Sequence, residues 1–153
     1  MTETFRIVPG DIRILWLLAP ALLITVFAFS ALALSLAGSQ NARFEVSPVG
    51  LRLRGDMYGR FIPASDLQLA GARVVDLQAE PSLAAVRRTV GTAVKGYQAG
   101  WFRLRDGEKA LLYVTDRSRV AYVPTSRGYA VMVSVADPEA FLASLRRIAP
   151  PAT

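Results

Sequence analysis

Five arginines carry the clearest candidate chemistry in this sequence of 153 residues. Arg52 and Arg54 alternate along one short stretch and Arg60 follows them, whereas Arg87 and Arg88 are adjacent further along the chain. A guanidinium group is always charged at neutral pH and donates paired hydrogen bonds to phosphate or carboxylate oxygens. These residues predict contacts with anionic lipid head groups or with a protein partner. The alternative is that they form solvated faces that keep the domain soluble.

The rest of the composition argues against catalysis. The sequence contains no histidine and no cysteine, so the commonest general base, the commonest transition-metal ligand and any thiolate nucleophile are missing. Asp106, Glu108 and Asp116 lie near predicted turns, and no pair of carboxylates has a spacing that demands acid and base roles. We therefore predict that the protein is not an enzyme and has no catalytic residue, no cofactor and no metal site.

Aromatic residues cluster in the most distinctive part of the sequence. Tyr97, Trp101, Phe102 and Tyr113 either line a binding groove or, as is commoner for aromatic residues flanked by alternating strands, pack in the core. The three glycines between residues 91 and 100 do not form a phosphate-binding loop, because no helix that opens with Lys-Ser or Lys-Thr follows them. We interpret these glycines as bulges or bends in a strongly curved sheet.

The segment Ile14–Ala37 predicts that the protein is anchored in a membrane. Its 24 residues include no charged side chain, and a helix of that length extends about 36 Å, enough to cross a hydrocarbon core of about 30 Å. We predict a transmembrane helix, preceded by a tail of residues 1–13 and followed by a linker at residues 38–42. A cleaved signal peptide and a buried core helix are the alternatives. Signal peptides have apolar regions of about 7 to 15 residues, and core helices usually carry a polar stripe.

The charges beside this segment predict its orientation. Arg6, Arg13 and the amino terminus precede it, whereas Arg43 is the only positive residue close behind it. Since short flanks of membrane helices follow the positive-inside rule, we expect the amino terminus in the cytoplasm and the following domain on the non-cytoplasmic side. The chain has 18 Lys and Arg against 12 Asp and Glu, a net charge of +6, which favours attraction to an anionic bilayer.

After the linker, the periodicity changes from helical to alternating, which is typical of β-strands. Alternating apolar and charged residues predict a hairpin within residues 43–54, a third strand at Tyr58–Ile62 and another strand at Arg73–Leu77. The segment Gln78–Ala85 contains a proline and short polar residues, so we predict a connection between two halves of the sheet there. A helical turn at Ser82–Val86 fits this connection.

Residues 89–134 predict further strands joined by tight turns. Asp106 and Gly107 lie between two alternating apolar runs, a strong hairpin signal because glycine accepts the positive backbone angle that such turns require. Two more strands flank Thr125–Gly128, so we expect three successive strands to form a meander. The total is seven or eight strands.

The end of the domain predicts one amphipathic helix at residues 137–148. Asp137 suits the cap, Pro138 suits the first helical position, and apolar residues recur at helical spacing behind them. We therefore predict a mainly β domain at residues 43–149, a small antiparallel barrel or roll whose open end is capped by this helix.

This order of elements resembles the bacterial pleckstrin-homology (PH)-like domains found in small membrane-anchored proteins. The resemblance lies in GYQAGWFRLRDGEKALLYVT at residues 96–115, in Tyr58-Gly59-Arg60 with Ile62-Pro63, and in the terminal VSVADPEAFLASL. It covers nearly the whole domain and implies two nearly orthogonal antiparallel sheets with a carboxyl-terminal helix. It also implies a location at a bacterial inner membrane.

The resemblance adds an expectation about ligands. Eukaryotic relatives of this fold often bind phosphoinositides through basic residues in and after the first strand, and Arg52, Arg54 and Arg60 occupy the corresponding early hairpin. Our first hypothesis is nevertheless a module that holds a protein partner or its own copies beside the bilayer, through sheet edges and loops. The alternative is a module that binds anionic lipid head groups through these arginines or through Arg87 and Arg88. No recognisable motif predicts nucleic-acid binding.

Overall fold

The computed structural model describes residues 19–30, 33, 42–54, 57–94 and 96–148. The chain divides into two compact units, Met1–Leu36 and Ala37–Thr153. In the first unit, residues 19–30 and residue 33 are α-helical. The tail, the remaining residues of the predicted transmembrane segment and all of the linker except Ala42 lie outside the described residues. Across the described ranges, no helix is both long enough and apolar enough to cross a membrane.

The second unit begins with a small antiparallel sheet of three strands. Its strands are β1 (Arg43–Ser47), β2 (Gly50–Arg54) and β3 (Phe61–Pro63), paired in that order. The predicted first hairpin is therefore confirmed. The third strand begins three residues later than predicted, because residues 57 and 58 still belong to the turn that brings the chain back to β2.

A larger sheet of six strands follows. Its strands are β4 (Arg73–Val75), β5 (Ala85–Val94), β6 (Tyr97–Leu104), β7 (Lys109–Val114), β8 (Val120–Pro124) and β9 (Ala130–Val133). They lie side by side in the order β4-β8-β9-β7-β6-β5. The described residues thus form nine strands, not seven or eight, in two separate sheets.

The predicted meander of β7, β8 and β9 is wrong. The β6–β7 and β8–β9 hairpins form as expected, but β9 lies between β7 and β8 and runs parallel to β7. All four residues of β9 are fully buried, so the strand is apolar on both faces and suits the interior of a sheet. In β8, Tyr122 and Pro124 are partly exposed, and this strand takes the position further out. The sheet is therefore not wholly antiparallel.

The connection between β4 and β5 also differs from the prediction. β4 ends at Val75, two residues earlier than expected, and the predicted helical turn is a 3-10 turn at Pro81–Leu83. Ala85 already belongs to β5, which extends to Val94. The turn begins at Pro81, one residue before the predicted start at Ser82, because proline suits the first position of a helical turn.

Two apolar clusters lie on opposite faces of the larger sheet. The first combines this sheet with the small sheet and the C-terminal helix, and its centre includes Leu51, Ile62, Leu111, Val131 and Leu145. The second combines the other face with the chain between β4 and β5, and includes Leu83, Phe102, Leu112, Val120 and Met132. The central strands of the larger sheet are thus buried on both faces, which explains why β7 is a nearly continuous apolar run.

The C-terminal helix spans Pro138–Ile148. Asp137 caps it as predicted, because the Ala140 N–H donates to Asp137 Oδ1 over 2.9 Å. Leu142 and Leu145 are buried in the first cluster, so the predicted apolar stripe packs against the sheets. Two sheets and a C-terminal helix agree with the fold that the resemblance implied.

Candidate binding surfaces

Three of the predicted arginines line one shallow cavity of about 350 Å³. The alternation of β2 buries Leu51 and Leu53 and leaves Arg52 and Arg54 exposed. Arg60 joins them from the segment before β3, where its carbonyl oxygen accepts a hydrogen bond of 2.8 Å from the Leu53 N–H. Among the described residues that line this cavity, none is acidic. This surface, the arginine cavity, suits an anion such as a phosphate group.

Each of the first two arginines has a partner inside the domain. Arg54 Nε lies 3.2 Å from Glu45 Oε2, and both side chains are more than half exposed. The guanidinium of Arg52 lies 5.4 Å from the centre of the Phe61 ring. Exposed ion pairs contribute only about 0–1 kcal/mol, so an incoming phosphate can displace Glu45 at low cost.

Arg60 belongs to a cluster that the sequence did not reveal. Its guanidinium lies 4.5 Å from the centre of the Trp101 ring and 5.9 Å from that of Tyr129. Lys109 Nζ also lies 4.5 Å from the Trp101 ring, and Tyr129 meets that ring edge-on at 5.0 Å. Cation–π contacts of this kind fix the direction of a long side chain. No local pattern predicts them, because the residues come from distant parts of the chain.

The four predicted aromatic residues separate into two groups. Tyr97, Phe102 and Tyr113 are buried, which confirms the core interpretation. Trp101 is only partly buried and carries the two cations. The indole ring therefore supports a surface feature as well as the core.

Arg87 and Arg88 do not line the arginine cavity. Both are exposed residues of β5 and lie opposite Arg103 and Phe102 of β6. Since directly opposed residues in an antiparallel pair share a face, Arg87 and Arg88 point to opposite faces of the sheet. Three of the five candidate arginines therefore line the arginine cavity, and the other two lie on β5. Arg87 and Arg88 are on opposite faces of the larger sheet.

β5 forms one edge of the larger sheet over ten residues. Its first half is protected, because it contains two charged residues and two bulges, between Ala85 and Arg87 and between Arg88 and Val90. Its second half, residues 90–94, has neither. Val90 is 56% exposed and Val94 is 36% exposed. In the described residues, no strand pairs with the outer side of β5.

The glycines near this edge have two distinct roles. Gly91 and Gly100 are directly opposed, and a Cβ atom on Gly100 would lie 2.5 Å from the Val90 carbonyl oxygen and 2.6 Å from Gly91 Cα. The absence of side chains therefore lets β5 and β6 approach closely. Gly96 has a φ of +83° and lies in the turn between the two strands. The turn at Gly96 agrees with the predicted bends, whereas the bulges of β5 lie before Gly91 and not at the glycines.

Asp116 and Tyr122 of the second unit form structural hydrogen bonds that shift their pKa values. Hydrogen bonds from the Ser118 hydroxyl and backbone N–H lower the pKa of Asp116, which keeps it an acceptor. Burial and a 2.8 Å hydrogen bond to Glu108 raise the pKa of Tyr122 to about 12, so its hydroxyl is a neutral donor. Across the described ranges, no three acidic, histidine or cysteine side chains are grouped so as to hold a metal ion.

The second unit is a small β-domain with a C-terminal helix. It has two candidate binding surfaces, the arginine cavity and the exposed edge of β5. A family model described as Bacterial PH domain matches residues 42–149. The chain therefore belongs to the bacterial PH domain family, whose fold generally serves as a non-catalytic module that binds lipids or proteins. No curated protein and no solved structure matches the chain.

Proposed function

We propose that this protein is a membrane-anchored, non-enzymatic interaction module that binds protein at the outer side of β5. The observation that carries the proposal is the second half of β5, an uncharged and exposed edge segment without a bulge or a proline. A strand of this kind has unpaired backbone N–H and C=O groups that bind another strand by β-augmentation.

The membrane anchor rests on the first unit. Its predicted segment has no charge, and the described helical residues carry large apolar side chains that are 55% to 76% exposed, including Leu22, Ile24 and Phe27. An exposed apolar helix of this composition is unfavourable in water and favourable in a bilayer. In our proposal, the anchor lies in a bacterial inner membrane and the domain lies on its non-cytoplasmic side.

Photo-crosslinking from two exposed valines tests this proposal. A photo-reactive amino acid replaces Val90 on the β5 edge or Val49, which is 69% exposed in the turn between β1 and β2. We expect the full chain to stay in the membrane pellet after an alkaline wash. We also expect Val90, unlike Val49, to yield a crosslinked protein adduct, either another protein or a second copy. Equal yields from the two positions, or release by the wash, would contradict the proposal.

A second candidate function is the binding of anionic lipid head groups. It is favoured by the arginine cavity, to which Arg52, Arg54 and Arg60 all contribute and whose described lining residues include no carboxylate. Each well-placed cation near an anionic surface contributes about 1 kcal/mol, so the three together give moderate, salt-sensitive binding.

The lipid function predicts the behaviour of a triple variant. Residues 38–153 should sediment with vesicles that contain phosphatidylglycerol at low salt. Replacing Arg52, Arg54 and Arg60 by glutamine should weaken this binding at least about ten-fold, since about 1.4 kcal/mol corresponds to a factor of ten. The matched control replaces Arg87 and Arg88 by glutamine and should change the binding much less. Failure of the unchanged domain to sediment would exclude the lipid function, and sedimentation that survives the triple change would exclude this site.

A further inference from the structure

The unprotected part of the β5 edge reads nearly the same in both directions, differing only by Gly91 in one half and Ala93 in the other. Residues 90–94 read Val-Gly-Thr-Ala-Val, with valine at both ends, small residues next to them and Thr92 in the centre. Opposed positions on β6 place Val90, Thr92 and Val94 on one face of the sheet, the face of Ala99 and Trp101. The edge therefore presents an uncharged strip with two similar halves.

We infer that the occupant of this edge is a second copy of the same chain, paired antiparallel with a two-fold axis at Thr92. This inference rests on the proposed function, because it names the partner of the same edge. In this register Val90 of each copy lies opposite Val94 of the other, and Thr92 lies opposite Thr92. Gly91 lies opposite Ala93 on the other face. The two sheets then continue into one sheet of twelve strands.

The register also satisfies sterics and charge. Cross-strand pairs of β-branched residues, such as valine with valine and threonine with threonine, stabilise antiparallel strands by about 0.2–1 kcal/mol each. Arg88 faces position 96 of the partner copy, which is a glycine, so no like charges are directly opposed. An axis at Val90 would instead bring the bulge between Arg88 and Val90 into the paired segment. Thr92 is thus the better centre.

Two further properties of the chain shape this association. The net charge of +6 makes two copies repel each other at long range, and salt screens such repulsion over about 8–10 Å. Self-association should therefore become stronger as salt is added, whereas binding of an acidic partner would become weaker. Confinement to one membrane raises the effective concentration of the chains, so an edge of a few residues can suffice.

Cysteine crosslinking measures the register directly, because the natural sequence contains no cysteine. Full-length Thr92→Cys is reconstituted in vesicles of neutral lipid and oxidised mildly. Opposed residues of an antiparallel pair have Cα atoms about 4.5–5.5 Å apart, within the range of a disulfide bond. We expect the disulfide-linked dimer to form at least ten-fold faster than with Ala143→Cys, an exposed position on the C-terminal helix.

A mixture of two variants tests the axis. Val90→Cys and Val94→Cys should link to each other when mixed, and each alone should link slowly, because residues four apart along a strand are about 13 Å from one another. Circular dichroism verifies that each variant is folded. A Thr92→Cys rate equal to that of Ala143→Cys, or rates that fall with added salt, would overturn the inference.

The result separates this inference from the proposed function. Suppose that Thr92→Cys does not link but the Val90 photo-crosslinker captures a different protein in membranes. The inference of a second copy is then wrong, whereas the proposal that the β5 edge binds protein is supported. If neither Thr92→Cys nor the Val90 photo-crosslinker links above its control, both the proposed function and this inference are wrong.

Discussion

Replacing Gly100 by alanine is expected to destabilise the domain by roughly 2–5 kcal/mol. Its φ of +112° is unfavourable for a residue with a side chain, and a Cβ atom would overlap the Val90 carbonyl oxygen and Gly91 Cα. Backbone strain of this kind costs about 1–2 kcal/mol, and overpacking adds about 1–3 kcal/mol. Because the overlap is with backbone atoms, the strain is relieved only if β5 moves away from β6. Urea unfolding of the full chain in detergent, followed by tryptophan fluorescence, measures the loss.

Gly107→Ala is the matched control for this substitution. Gly107 also has a positive φ, +92°, but an added Cβ atom would have no neighbour within 4 Å. Gly107→Ala should therefore lower the unfolding free energy only by the backbone strain, about 1–2 kcal/mol. If Gly100→Ala were no more destabilising than Gly107→Ala, the close approach of β5 and β6 would not constrain the edge as we describe.

Replacing Leu145 by alanine is expected to cost about 2–5 kcal/mol of unfolding free energy. Leu145 is fully buried and lies in the cluster shared by the C-terminal helix and both sheets. Truncation removes apolar contacts and leaves a cavity that the surrounding strands fill only in part. The same urea experiment measures the loss, and the midpoint should move without a large change in slope.

The control for this change is Val49→Ala, a truncation at a site that is 69% exposed. Surface changes of this type usually alter stability by no more than about 0.5 kcal/mol. A loss at Leu145 as small as the loss at Val49 would mean that the helix contributes little to the core. The helix would then not act as a structural cap.

Local patterns were sufficient for most elements of the domain. The alternation of residues 43–54, the Asp-Gly turn before Glu108 and the cap at Asp137 each specify a structure through neighbouring residues, and all three are present. The position of β9 could not be obtained in this way. Two hairpins predict which strands are joined, but the insertion of β9 between β7 and β8 depends on burial on both faces, which is a property of the whole sheet.

The candidate sites show the same division. Arg52 and Arg54 were recognisable because they alternate with buried leucines, and Arg60 follows close behind them in the chain. Arg60 and Trp101 are far apart in sequence, so local sequence patterns could not predict their contact. The exposed edge of β5 was not predictable either, since its sequence does not determine which strands pair with it.

Amide hydrogen exchange along β5 tests the central claim most directly. The measurement compares the full chain in native membranes with the purified chain at high dilution in detergent, and the exposed edge of β1 serves as the internal control. If β5 binds protein in the membrane, its outward amides at residues 90–94 gain hydrogen bonds and should exchange at least ten-fold more slowly there. Equal exchange of these amides in both samples would contradict the account.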